Sequence, residues 1–288
     1  MRICSLLPSA TEICYALGLG GDVVGVSHEC DYPPDASRKP RVIRTVIDQD
    51  RQTSGEIHAA VRASVEQGTG LYEVDEPLLR GLVPDLILTQ KLCDVCAVTD
   101  HQLARVLAGL PSRPGIISLH PHSLDDMLAE IRLIGERTGR EREAAALICR
   151  FRERLARISE RRAGRPRPRV FCLEWLDPLM AAGHWVPEMV DLAGGEEVVG
   201  RAGAPSRVVA PEEVVAARPD VVLVMPCGFP VERARRELAV VTGQPWWLGL
   251  PAAAAGRVHV VDGPAYFNRC GPRAVEGVEL VEELLSHG

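Results

Sequence analysis

Two separated stretches of the chain carry nearly the same local instruction. Leu82-Val83-Pro84-Asp85-Leu86-Ile87-Leu88 and Ala217-Arg218-Pro219-Asp220-Val221-Val222-Leu223 each read as a helix end turning at Pro-Asp into a buried parallel strand. An internal repeat of this kind predicts two similar lobes. Around both copies, short β-rich apolar runs alternate with helical patterns, so the fold class expected is α/β, with parallel sheets in Rossmann-like lobes. Strands are predicted near residues 2–7, 23–27, 85–89, 115–119, 169–173, 220–225 and 257–261. Helices are predicted over 9–17, 102–107, 186–193, 211–217 and 273–285.

Between the two copies the chain becomes charged and helical. Leu124, Met127, Ile131 and Ile134 form one apolar stripe, and Ala144, Leu147, Ile148, Phe151, Leu155 and Ile158 form a second. Gly139 separates a shorter helix from a longer one, and Arg165-Pro166-Arg167-Pro168 ends the second. Since twenty helical residues span about 30 Å, this segment has the length of a strut between lobes. The organisation predicted is an N-terminal lobe over 1–122, connecting helices over 123–165 and a C-terminal lobe over 166–288. A chain of 288 residues has the length for two such cores.

Composition narrows the function classes. With 33 Lys and Arg against 39 Asp and Glu, the net charge is −6, which argues against nucleic acid or an anionic membrane surface as partner. No apolar run reaches the roughly 18 residues of a membrane span. Met1-Arg2 leads directly into the first predicted strand with no apolar leader segment, from which a cytoplasmic location is expected. The nine cysteines are then expected as free thiols, metal ligands or catalytic thiols.

In open parallel sheets, ligands gather at the carboxyl ends of strands. Ser9 and Glu12 after the first strand match a capping box. His28, Cys30 and Tyr32 follow the second strand, and Cys93-Asp94-Val95-Cys96 follows the third. In the second half Cys172 lies in a strand leading to Glu174-Trp175, and Cys227 and Phe229 follow another strand. His28, Cys30, Cys93, Cys96, Cys172 and Cys227 are therefore the candidate metal ligands, and thiolates of this kind favour zinc, copper(I) or an iron–sulfur cluster. Cys93 and Cys96 alone also fit a thiol–disulfide pair. Cys4, Cys14 and Cys149 read as small core residues, and His120 and His122 as part of a helix cap. Tyr32, Trp175, His184, Trp185, Phe229, Tyr266 and Phe267 offer flat faces to a planar ligand, with Glu174 and Arg269 as polar neighbours. No phosphate-binding loop and no nucleophile elbow is present.

The opening Arg2-Ile3-Cys4-Ser5-Leu6-Leu7-Pro8-Ser9-Ala10-Thr11-Glu12, the stretch Asp31-Tyr32-Pro33-Pro34, both Pro-Asp strands and the tail Ala265–Arg273 together resemble the vitamin B12 and iron-siderophore substrate-binding proteins of ABC importers. The resemblance spans nearly the whole chain. His28–Pro33, Leu92–Ala97, Cys172–Trp175, Ala182–Pro187 and Met225–Phe229 look characteristic of the cobalamin-binding branch whose members lack an export signal. It implies two lobes bridged by a long helix and a corrinoid or metal chelate held in an interlobe cleft. Family members dock on a permease through one acidic residue per lobe. Glu212 fits the second position, while Pro77, beside Glu76, falls at the first, which weakens the expectation of a permease partner. A thiol-rich segment also stands where the exported B12 binder has a tryptophan. The function expected is a non-enzymatic, cytoplasmic binder of cobalamin or a related corrinoid. The alternative is a thiolate-coordinated metal or cluster protein, possibly an enzyme, using the cysteines of the cleft.

Overall fold

A computed structural model describes residues 1–48, 51–67, 70–90, 106–107, 109–110 and 113–286. The chain divides into two compact units. The first comprises Met1–Arg51, Ala59–Pro121 and Asp126–Ile148; the second comprises Gln52–His58, His122–Asp125 and Cys149–Gly288.

The first unit is built on strands β1 (Ile3–Ser5), β2 (Val23–Ser27), β3 (Arg41–Thr45), β4 (Tyr72–Val74), β5 (Leu86–Gln90) and β6 (Gly115–Leu119). Their order is β4-β3-β2-β1-β5-β6, parallel except where β4 runs antiparallel to β3. Helix α1 (Pro8–Ala16) crosses from β1 to β2, and α2 (Ser54–Gln67) and α3 (Glu76–Leu82) follow β3 and β4. Cys4, Val42, Leu79 and Ile87 meet in its core, as the apolar runs of β1, β3 and β5 require once both sheet faces are covered.

Helices α4 (Leu124–Thr138) and α5 (Glu141–Arg162) come next in the chain. Gly139 between them has φ +68°, the left-handed conformation that lets α4 stop and α5 restart within two residues.

The second unit contains β7 (Arg169–Trp175), β8 (Met180–Ala181), β9 (Glu196–Glu197), β10 (Arg207–Val208), β11 (Val221–Val224) and β12 (Val258–Val260). β7, β11 and β12 are parallel, β9 pairs parallel with β7, and β8 and β10 form an antiparallel edge. Its helices are α6 (Val186–Leu192), α7 (Pro211–Ala217), α8 (Val231–Glu237) and α9 (Ala274–Ser286), with four-residue turns between α8 and α9. Phe171, Leu173, Val222, Val224 and Trp247 fill the core.

The repeated Pro-Asp motif is a repeated clamp. In the first unit the Arg2 N–H donates to Asp85 Oδ2 at 2.8 Å, the Asp85 N–H donates to the Arg2 carbonyl at 2.8 Å, and Arg2 Nε donates to the Leu82 carbonyl at 2.7 Å. In the second, Arg169, Asp220 and Ala217 make the same three bonds at 2.8, 2.7 and 3.0 Å. Each clamp ties the start of the unit's first strand to its parallel neighbour and satisfies an orphan carbonyl at a helix C-terminus. Val83 and Arg218, at the two C-caps, both adopt the left-handed region, with φ 42° and 46°.

Two sequence expectations change. The N-cap of α1 is Leu7, with no side-chain cap, and Ser9 and Glu12 are buried inside the helix. Pro8 fixes its own φ at the first helical position and so starts the helix two residues ahead of the expected capping box. The parallel sheets expected are present, with the short strands β4, β8 and β10 each added antiparallel to a neighbour. Cys149 is exposed on α5 beside Glu153 and is no core residue. The helix expected over 102–107 falls mostly outside the described residues. Among the described residues no helix is long and apolar enough to cross a membrane.

Candidate functional site

The candidate residues of the first unit lie just past β2. The His28 ring packs on Tyr72 with centroids 5.6 Å apart, its Nδ1 is 3.4 Å from the Ser27 hydroxyl, and Glu29 lies 3.8 Å from Nε2. Burial lowers the His28 pKa against the pull of Glu29, and Arg41 lowers it further, so the ring favours its neutral form. Tyr32 is exposed. Cys30 is only 1% exposed, and its sulfur sits 3.1 Å from the Thr11 hydroxyl, which is 2.8 Å from Ser5 Oγ. This thiol belongs to a buried polar cluster at the β1 end.

Cys172, in the middle of β7, has no exposed surface. Burial and the adjoining Glu197 push its thiol well above the ordinary range, the opposite of what a thiolate ligand needs. Glu197 Oε2 accepts the Cys172 N–H at 2.9 Å and Oε1 accepts the N–H groups of Val199 and Gly200, so this buried carboxylate pins the turn after β9 to β7. Cys227 is exposed in a turn whose Gly228 has φ +76°. Among the described residues no three His, Cys, Asp or Glu side chains are grouped to hold a metal ion. Cys93 and Cys96 lie outside the described residues. The cysteine-lined cleft, and with it the zinc and iron–sulfur alternatives, is therefore not supported: position at a strand end does not distinguish a lining thiol from a packed one.

The second unit gathers the aromatic candidates in two groups. In one, Trp175 and Phe229 have ring centroids 5.1 Å apart, and the Arg233 guanidinium lies 3.6 Å over the Phe229 ring. Arg233 is only 7% exposed and donates to the Gln52 carbonyl at 2.6 Å. The Trp175 Nε1 donates to the carbonyls of Ser54 and Asp177 at 3.2 and 3.0 Å. Ser54, at the start of α2, is itself held by Glu237. Glu174 is half-buried beside this group, and its carbonyl accepts the Cys227 N–H at 3.1 Å.

The other group surrounds His184. Its backbone is left-handed, with φ 52°. The strand-like pair His184 N–H to Ala204 O (2.6 Å) and Gly203 N–H to His184 O (2.8 Å) holds it there. Gly183 is required at its position, since a Cβ would lie 2.3 Å from the Ala204 carbonyl oxygen. The His184 ring faces His122 and Trp185, with centroids at 5.6 and 5.7 Å. Trp185 Nε1 is anchored on the Phe267 carbonyl at 2.8 Å, and the Arg273 guanidinium lies 5.9 Å over Tyr266. Arg269 is half-buried in the same segment. Burial first, then His122, lowers the His184 pKa, so the imidazole is neutral at neutral pH.

Sequence reading missed His122 and Arg233. Arg233 gave no periodic signal, because Phe229 precedes the helix that begins at Val231. His122 gave none, because only the fold brings it to His184.

The two sheet-based units, with long helices between them in the chain, form the class III substrate-binding-protein fold, and the chain belongs to the periplasmic binding protein family, whose sequence profile it matches over residues 3–265. Among relatives, the vitamin B12-binding protein of Vibrio cholerae serotype O1 (strain M66-2) is 27% identical over 286 residues, 97% of this chain and 87% of that protein. The vitamin B12-binding protein of Yersinia pestis (strain Pestoides F) is 26% identical over 225 residues, 77% of this chain and 69% of that one. Among solved structures, the periplasmic vitamin B12-binding protein BtuF of Vibrio cholerae superposes with a TM-score of 0.70 at 25% identity, covering 99% of this chain and 96% of that one. The apo periplasmic heme-binding protein RhuT of Roseiflexus sp. RS-1 superposes with a TM-score of 0.75 at 24% identity, covering 99% and 98%, a likeness of fold.

The cytoplasmic location expected from the sequence is overturned by this membership, since the family and these solved relatives are periplasmic. The expectation rested on the few residues ahead of β1, and those carry no information about the fold or its family.

Proposed function

We propose that the protein is a receptor for a corrinoid, cobalamin first, or for another planar metal chelate of similar size. The observation that carries this reading is the end-to-end match to a vitamin B12-binding protein, 97% of this chain against 87% of that one. The residues around His184 are consistent with it. A flat ligand needs fixed aromatic faces; the half-buried rings of His184 and Tyr266 offer them, and Trp185, buried and anchored on the Phe267 carbonyl, packs beside His184. Glu174 and Arg269, in the same unit as His184, are the further ligand contacts in this reading. Glu212, exposed in the first turn of α7, is the docking carboxylate toward an importer permease, with Glu76 serving the corresponding turn of α3.

Thermal unfolding with and without hydroxocobalamin, hemin and a ferric siderophore tests the assignment. A ligand bound only by the folded state and present at about 100 times its Kd stabilises by about 2.7 kcal/mol. For a protein of this size that raises Tm by roughly 4–5 °C. Hydroxocobalamin is expected to produce such a shift. A shift with the ferric siderophore alone would replace the reading.

A further inference from the structure

His122 and His184 come from opposite halves of the sequence and meet ring to ring in the second unit, centroids 5.6 Å apart and planes inclined by 37°. Three independent features single out His184. Its Nδ1 is buried and has no hydrogen-bond partner among the described residues. An orphaned buried nitrogen has given up its hydration without a replacement, so it calls for an explanation. Its backbone is held in the left-handed region, where a residue with a Cβ is strained and persists only because its surroundings determine it. The surroundings do so here through Ala204, Gly203 and the closely walled Gly183. Finally, the ring has a rigid floor, because Trp185 beside it is tied to the Phe267 carbonyl.

We infer that His184, with His122 beside it, is an imidazole site for a metal centre that has an exchangeable coordination position. Nitrogen ligands of this kind bind first-row metals at about 2.0–2.1 Å, and two rings that share one metal have centroids about 5–6 Å apart, the spacing found here. The buried neutral ring keeps its lone pair available. Binding is then a ligand exchange: water leaves the metal with its bonding pair, and the imidazole nitrogen donates its own pair to form the metal–nitrogen bond. No proton or redox change is required.

Two sources present this chemistry, a chelated metal with a replaceable axial ligand and a free divalent ion. The chelate arm rests on the receptor reading above; the ion arm does not. The full chain is titrated with hydroxocobalamin, with cyanocobalamin, whose cobalt carries a tightly held cyanide, and with nickel(II) chloride, following both heat and visible absorption. The expected result is a change in the hydroxocobalamin spectrum, a much smaller one with cyanocobalamin, and loss of the change in His184→Asn, which keeps the left-handed backbone accessible. His122→Asn is expected to weaken the interaction by about tenfold, as removal of a supporting group around a metal does. A nickel spectrum that depends on both histidines, without a corrinoid response, assigns the site to the free ion.

The inference is overturned if corrinoid binds with heat but with the same spectrum in wild type and His184→Asn, and nickel does not bind. In that outcome the receptor reading stands. Heat from none of the three ligands removes both.

Discussion

At Glu130, helix α4 carries a carboxyl into a buried position where Oε1 accepts the His120 N–H at 2.6 Å and Oε2 has no hydrogen-bond partner among the described residues. Burial pushes its pKa up to about 7, the His120 bond opposes this, and Asp126 adds to it. Unfolded, the group titrates near 4.5, so between these values the folded chain holds the extra proton. The associated stability is fully present below about 4.5 and is lost as pH rises through about 7, a loss of up to about 3 kcal/mol. Calorimetric Tm is therefore predicted to rise as the pH falls from about 8 to about 5. Glu130→Gln should flatten that slope and gain about 1–3 kcal/mol at the upper pH; parallel profiles for the two proteins would contradict the argument. Single residues were the least legible part of the sequence. Six thiol and imidazole groups at strand ends looked alike, but Cys172 and Cys30 are packed inside and Cys227 faces out. Which side of a strand or turn a residue occupies depends on register and on partners distant in sequence, such as Glu197 and Thr11.

Among elements, the two Arg-Asp clamps do the same work in both sheets. Removing the Asp220 side chain would leave the Arg169 N–H without its acceptor, a cost of about 1–3 kcal/mol. Asp220→Ala should accordingly lower the urea midpoint without changing the slope. Val83 is the opposite case, a β-branched residue at φ 42°. Val83→Gly removes a left-handed penalty of about 1–2 kcal/mol and loses part of it to glycine's backbone entropy, for a net gain of about 0.5–1 kcal/mol. Equal or lower stability in that variant would mean the Val83 side chain contributes packing that its exposure does not suggest. The elements around these clamps were readable in advance, since β1, β2, β5, β6, β7, β11 and β12 are apolar runs bounded by turn residues. The strands β3, β4, β8, β9 and β10 toward the sheet margins were not. They are short or carry alternating polar residues, and they exist because a neighbouring strand offers them a ladder.

For the whole molecule, the Pro-Asp repeat and the order of motifs were sufficient to read two α/β units and the family. They were insufficient for the compartment, and the cysteine count pointed away from the ligand chemistry that relatives support. A receptor for a corrinoid is expected to bind one equivalent. Isothermal titration of the full chain with hydroxocobalamin tests this most directly. The stoichiometry is predicted to be near one and the Kd below about 1 μM, equivalent to about −8 kcal/mol. Flat heats at protein concentrations of about 50 μM would correspond to binding weaker than any receptor role allows and would contradict it.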